Sequence, residues 1–153
     1  MSKSKPRLPP TWFKRAAWYT HRGIYRLTRG RFGLWRPKPD GWGALRLTVV
    51  GRRSGEDRSV ILGYFEDGPN LVTMAMNGWD AGEPAWWLNL QAHPDARIVT
   101  ADGPREITGR AAEGEERDRL WARWQEIDDN LDAYAERRPA GTAVVVLEPR
   151  SAT

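Results

Sequence analysis

"LRLTVVGRRSGEDRSVILGYFEDGPNLVTM", residues 45–74, is the stretch that decides the fold. Three runs rich in β-branched and aromatic residues are separated by two glycine-containing segments that favour turns. The pattern predicts strands at Leu45–Val50, Arg58–Phe65 and Asn70–Met76. The first connection is unusual because it places three arginines at the tip of a tight turn between two strands.

The remainder of the chain continues this pattern of short strands and adds two helices. A short helix is predicted to begin at Pro84 and to end near His93, with proline at a favoured first-turn position. A longer helix is predicted from about Glu115 to Arg137. Six short strands with two helical excursions indicate a mainly β fold, a small closed or half-closed barrel, and the alternation is too irregular for a doubly wound sheet. The three further strands are predicted at Ala96–Thr100, Arg105–Ala111 and Thr142–Leu147.

The N-terminal arm, residues 1–38, differs in charge from the rest of the chain. It contains eleven of the 24 Lys and Arg residues and none of the 20 Asp and Glu residues. Thr11 is a plausible N-cap for a basic helix that runs to about Leu27 and interleaves aromatic with basic side chains. We therefore divide the chain into this arm and one barrel domain, residues 39–153.

The composition narrows the classes of function. The absence of cysteine excludes disulfides, a thiol nucleophile and a cysteine-ligated metal, and two histidines without flanking carboxylates make a metal site unexpected. No run reaches the roughly 20 apolar residues of a membrane span, and the start of the chain lacks a secretory signal, so a cytoplasmic protein is expected. Nine tryptophans favour a ligand pocket or an interface.

The arginine turn, residues 51–58, has the composition of an anion-binding site. Gly51 and Gly55 permit positive φ angles, so successive backbone N–H groups and the side chains of three arginines can converge. Guanidinium groups bind phosphate and carboxylate oxygens in bidentate fashion. The alternative is a solvated hairpin loop whose charges only keep the sheet soluble.

Three ordered motifs favour the first interpretation. They are Gly51–Gly55 followed by Arg58, then "AMNGW" at residues 75–79, then Pro84–Pro94, and the closing "VVVLEP" at residues 144–149 also fits. Together they resemble the deazaflavin-dependent nitroreductase family. The resemblance implies a split β-barrel of the FMN-binding type that uses coenzyme F420, an 8-hydroxy-5-deazaflavin.

The same resemblance implies a set of cofactor-binding residues. The arginine turn would hold the phosphodiester and glutamyl tail, the 75–79 turn would lie beside the deazaflavin ring, and the start of the short helix would pack against the cofactor. Two positions depart from the family pattern: Met76 replaces a serine and Trp79 replaces a glycine. The implied residues are Arg52, Arg53, Ser54, Gly55, Arg58, Ala75, Met76, Asn77, Gly78, Trp79, Ala85, Trp86 and Asn89.

The resemblance implies an F420-dependent oxidoreductase that transfers a hydride from the reduced deazaflavin to a quinone, an enone or a nitroaromatic compound. Tyr134 is the candidate for closing the pocket or donating a proton, against the alternative of a helix-surface aromatic. Three other functions stay open: an FMN-dependent split-barrel oxidoreductase, a non-catalytic cofactor-binding protein, and a nucleic-acid-binding module that would use the basic arm.

Two interactions with larger partners are also expected. The basic aromatic arm can lie on an anionic membrane surface, which would place the protein at the inner face of the cell membrane. In the alternative, its aromatic residues pack on the barrel and its charges are solvated. Exposed tryptophans on a split barrel favour a homodimer.

Overall fold

The structure is a computed structural model that describes residues 34–39 and 41–150. The predicted helix at residues 11–27, and with it most of the basic arm, lies outside the described residues. Within the described part of the chain, no helix is both long enough and apolar enough to cross a lipid bilayer.

Six antiparallel strands form a closed barrel in the order β1-β2-β3-β6-β5-β4, and β4 pairs with β1 to close it. The arginine turn connects β1 to β2, and the β2–β3 connection is the second turn of the opening stretch. Each of these six described strands is therefore paired with a neighbour on both sides. The strands are β1 Gly43–Val50, β2 Asp57–Asp67, β3 Asn70–Met74, β4 Asp95–Thr100, β5 Gly103–Ala111 and β6 Val144–Pro149.

The helices are inserted between strands. A single 3-10 turn, Asn77–Trp79, follows β3, and α1, Ala85–Ala92, precedes β4. Two more helices, α2 at Gly114–Ile127 and α3 at Leu131–Ala135, connect β5 to β6. The mainly β barrel of six strands that the sequence predicts is therefore confirmed.

Successive side chains of β6 alternate between two hydrophobic clusters. Val145 and Leu147 point into a cluster that also contains Leu90 of α1, while Val144 and Val146 belong to a cluster covered by α2 and α3. Both faces of β6 are buried in consequence, which explains its continuous run of apolar residues.

The prediction of one long helix over residues 115–137 is wrong. The helix ends at Ile127, and Asp128 adopts an extended conformation with φ −130° and ψ 103°. Its side-chain Oδ1 accepts a hydrogen bond from the N–H of Asn130 at 2.9 Å, which stabilises a turn in place of another helical turn. The apolar periodicity continues through the break because α3 packs on the same cluster.

All six strands differ from the prediction by one or two residues at one end or both, and β3 and β6 are examples. β3 ends at Met74 because the chain turns into the 3-10 segment, although the N–H of Ala75 still donates to Ala143 O at 3.0 Å. β6 begins at Val144, which is paired with Met74, and continues to Pro149, which is paired with Ile107.

Candidate active site

A cavity of about 710 Å³ extends from the arginine turn to the start of α1. The exposed side chains of Arg52, Arg53 and Arg58 line one part of it. The apolar wall comes from Val49, Val60, Ile61, Leu62, Met74 and Trp86. One cavity thus combines a cationic region with an apolar surface.

The arginine turn is held tightly by its own backbone. The N–H of Gly51 donates to Glu56 O at 2.8 Å, and the N–H of Gly55 donates to Gly51 O at 2.9 Å. Gly55 has a φ of +71°, which favours glycine, and a Cβ at Gly51 would lie 2.7 Å from the Ser54 hydroxyl oxygen. The backbone therefore requires glycine at position 55, whereas a side chain at position 51 would displace the Ser54 hydroxyl.

Asn89 connects the arginine turn to α1. Its side chain is buried, with 6% of the residue exposed. Its Oδ1 accepts hydrogen bonds from the backbone N–H of Arg52 at 3.1 Å and from Nη1 of Arg52 at 2.9 Å. The buried amide fixes both the backbone and the guanidinium group of Arg52 relative to the helix.

The turn after β3 is conformationally unusual. Asn77, Gly78 and Trp79 have φ angles of 50°, 61° and 64°, so three successive residues lie in the left-handed region. This conformation disfavours the two non-glycine residues, and tryptophan more than asparagine. The Asn77 side-chain amide donates to Ala81 O and Gly82 O, each at 3.3 Å. Met76, Asn77 and Gly78 line the large cavity.

Most of the residues implied by the resemblance line the same cavity, but three do not. Gly55 lies in the arginine turn without contributing to the wall. Ala75 is fully buried, and its N–H and carbonyl are engaged by Ala143 and Arg138. Trp79 faces a second cavity. Those that line the large cavity are Arg52, Arg53, Ser54, Arg58, Met76, Asn77, Gly78, Ala85, Trp86 and Asn89.

The second cavity, of about 220 Å³, adjoins the first, since Met74 and Met76 line both. Its wall is largely aromatic and apolar, with one carboxylate from Asp128. Tyr134 is not among its lining residues. It is half-buried and stacks on Trp79 with ring centroids 5.7 Å apart. The lining residues are Trp42, Gly63, Thr73, Met74, Met76, Trp79, Trp124, Asp128 and Leu131.

Sequence reasoning missed the apolar wall from β2 and one buried cation. Val60 and Leu62 could have been placed from their position on the strand that follows the arginine turn. No sequence signal marks Arg138, which sits among exposed residues in "ERRPAG" and is only 4% exposed. Among the described residues no group of three or more His, Asp and Glu side chains is placed to hold a metal.

The comparison with known protein families agrees with this geometry. The family model described as F420H(2)-dependent quinone reductase matches residues 18–149. The chain belongs to this family. The predicted membership of a deazaflavin-dependent group is confirmed, and so are the oxidoreductase class and the use of F420 as cofactor.

Relatives and solved structures support the same assignment. An F420H(2)-dependent quinone reductase of Mycobacterium tuberculosis is 33% identical over 135 residues, which cover 85% of this chain and 88% of the relative. A solved F420-H2-dependent reductase (FDR-A) matches with a TM-score of 0.62 and 27% identity over 69% of this chain and 93% of its own. HutZ, a haem protein from Vibrio cholerae, has a TM-score of 0.54, but 11% identity shows a shared fold alone.

In this member of the F420H(2)-dependent quinone reductase family, the residues that line the large cavity fit the coenzyme F420. An anionic phosphodiester and glutamyl tail needs cations near solvent, and the arginine turn supplies three exposed guanidinium groups. A flat heterocycle needs an apolar surface, and β2 with Trp86 supplies one in the same cavity. The residues present therefore suit both parts of the coenzyme.

Proposed function

We propose that this protein reduces a quinone with reduced F420 held in the large cavity and the quinone beside it, toward the small cavity. The observation that carries the proposal is the pair of methionines, Met74 and Met76, that lines both cavities. A group in one cavity would thus lie next to a group in the other. Reduced F420, when bound, supplies a hydride.

In this proposal the protein's own residues bind, orient and exclude water. Arg52, Arg53 and Arg58 would bind the anionic tail through charge-assisted hydrogen bonds. The apolar wall would hold the ring flat, because burying its faces releases water from both surfaces. Trp79, Trp124 and Leu131, which line the small cavity, would do the same for an apolar acceptor.

Tyr134 is proposed as the proton donor that completes the reduction, and the alternative donor is solvent. Its ring stacks on Trp79, so the hydroxyl would have to reach the acceptor past the edge of that indole. Tyr134→Phe decides between the donors. A fall in kcat of about a hundredfold, with unchanged affinity for F420, supports Tyr134, whereas an unchanged kcat assigns the proton to solvent.

The main test is a titration of the purified protein with oxidised F420, followed by steady-state oxidation of reduced F420 with menadione as acceptor. We expect binding at micromolar F420, and Arg53→Ala and Arg58→Ala each to weaken it by about 1–3 kcal/mol. Arg105→Ala is the matched control, because Arg105 is an exposed arginine on β5 outside the large cavity. Equal losses in all three variants, or no binding of F420, would contradict the proposal.

We also propose that the protein works in the cytoplasm and that its basic arm contacts the anionic inner membrane surface, where lipid-soluble quinones reside. The charge of residues 1–38 supports this. In the test, the full-length protein and its Arg22→Glu/Arg26→Glu variant are co-sedimented with vesicles containing anionic lipid. We expect the variant to lose binding, and equal sedimentation of both would contradict the membrane contact.

A homodimer is proposed from the exposed tryptophans Trp35 and Trp42, which are 44% and 48% exposed. Light scattering coupled to gel filtration measures the mass directly. We expect a dimer that Trp42→Gln weakens, and a monomer at all concentrations would rule it out.

A further inference from the structure

Arg138 is a charged side chain buried in the part of the chain that the structure describes. It follows α3, and only 4% of the residue is exposed. A buried guanidinium is strongly destabilising unless hydrogen-bond acceptors surround it. The positions of its acceptors therefore show what this residue holds in place.

Three of the four acceptors lie in the segment between β3 and α1, which we call the 75–84 loop. Nη1 donates to the carbonyl oxygen of Ala75 at the start of this loop. Nη2 donates to the carbonyl oxygen of Gly82 at 2.9 Å and to Oε1 of Glu83 at 3.3 Å, at its end. The fourth acceptor is Oγ1 of Thr142 at 3.1 Å. One guanidinium thus bridges both ends of the loop and attaches them to the chain just before β6.

The residues between these two attachment points are the strained ones. Asn77, Gly78 and Trp79 all have positive φ angles. Backbone in sparsely populated conformations persists only where its surroundings hold it in place. Met76 and Gly78 line the large cavity, so the position of the loop helps to determine the shape of the site.

We propose that Arg138 is a positioning residue that holds the 75–84 loop in the conformation in which Met76, Asn77 and Gly78 line the cofactor cavity. It touches neither of the two cavities itself and acts through the loop. The inference rests on the proposed function for its effect on catalysis, but the effect on the loop is independent of any ligand. The arginine turn is a separate segment, so tail binding is expected to survive the loss of Arg138.

The first measurement is amide hydrogen exchange on the protein without ligand, for the wild type, Arg138→Lys and Arg138→Met. In Arg138→Met we expect exchange of amides in residues 75–84 to rise about tenfold, while amides of β1 and β2 stay protected. Arg138→Lys keeps the charge but cannot reach both ends of the loop at once, so an intermediate rise is expected. Arg105→Met removes an exposed arginine on β5, away from the loop in sequence, and should leave the loop unchanged.

The second measurement separates positioning from general stability. In Arg138→Met we expect kcat with menadione to fall about tenfold or more, because a misplaced cavity wall misaligns the reactants. The affinity for oxidised F420 should fall less than kcat, because the arginine turn that would bind its tail is a separate segment and stays intact. Arg138→Lys should restore part of kcat.

Two results would overturn the proposal. One is a uniform rise in exchange across the barrel with unchanged kcat per folded molecule, which indicates a purely structural arginine. The other is an unchanged 75–84 loop in Arg138→Met. If Arg138→Met does not fold, the same criteria are applied to Arg138→Lys and to Glu83→Gln. The second variant weakens the attachment of Arg138 to the end of the loop. A protein that binds no F420 would refute the proposed function, while the exchange data would still decide the role of Arg138.

Discussion

Asn89 shows how a single buried amide can matter to a site by orienting a second residue. Its Oδ1 is already engaged by two donors of Arg52, the backbone N–H and Nη1. The family resemblance implies a cofactor-binding residue at this position, and the geometry gives it the additional task of orienting Arg52. Direct contact and orientation lead to different expectations for combined substitutions.

Asn89→Ala is predicted to weaken F420 binding by about 1–2 kcal/mol, because Arg52 loses the acceptor that fixes its position. The measurement is a calorimetric titration of Asn89→Ala, Arg52→Ala and the double variant. If Asn89 acts through Arg52, the double variant binds no worse than Arg52→Ala alone. Additive losses would instead indicate independent contact with the coenzyme. Gln91→Ala, an exposed position on the same helix, is the control and should bind normally.

The placement of α1 depends on the absence of a side chain on the strand beneath it. A Cβ at Gly109 of β5 would lie 2.4 Å from Cδ2 and 2.8 Å from Cγ of Leu90. Leu90 is fully buried and neighbours Asn89 in the helix. The glycine therefore lets α1 approach the barrel closely enough for Asn89 to reach the arginine turn.

Gly109→Ala is predicted to destabilise the fold by about 1–3 kcal/mol through overpacking and to weaken F420 binding as well, since α1 must shift. Urea unfolding and an F420 titration measure the two effects. In the Gly109→Ala/Leu90→Ala double variant the new methyl group occupies vacated space, so its destabilisation should be less than the sum of the single ones. Gly41→Ala is the control, because its Cβ would meet nothing closer than 3.8 Å. A stability unchanged by Gly109→Ala would contradict this account.

Local signals in the sequence predict most of these elements, but not the end of α2 or the position of Arg138. Alternation and turn residues place the strands around the arginine turn and Pro84 places α1, because these signals are local. Asp128 ends α2 within a segment whose apolar residues keep helical spacing throughout. That spacing fits one helix or two helices equally well. Arg138 could not be recognised, since the carbonyls that surround it come from residues more than fifty positions earlier in the chain.

Ion pairs of Asp67 and Glu116 attach α2 to the barrel. Asp67 on β2 accepts from Nη1 and Nη2 of Arg119 at 2.8 and 2.9 Å, and Glu116 accepts from Nη2 of Arg110 at 2.9 Å. Hydrogen bonding to Arg119 lowers the pKa of Asp67, and hydrogen bonding to Arg110 lowers the pKa of Glu116. The helix α2 covers the hydrophobic cluster behind the small cavity. These ion pairs therefore link the stability of the fold at low pH to the packing behind that cavity.

The lowered pKa values predict the direction of the pH dependence. A carboxyl whose pKa is lower in the folded than in the unfolded state stabilises the fold above its unfolded pKa of about 4, and this contribution is lost as the pH falls toward the folded value. Asp67→Asn should therefore reduce the free energy of unfolding by about 1 kcal/mol at neutral pH and by almost nothing near pH 2. Urea unfolding at both pH values measures the difference. Asp118→Asn, which removes an exposed carboxylate on α2, should show no such loss at neutral pH. A deficit of Asp67→Asn that is equal at both pH values would contradict the ion-pair explanation.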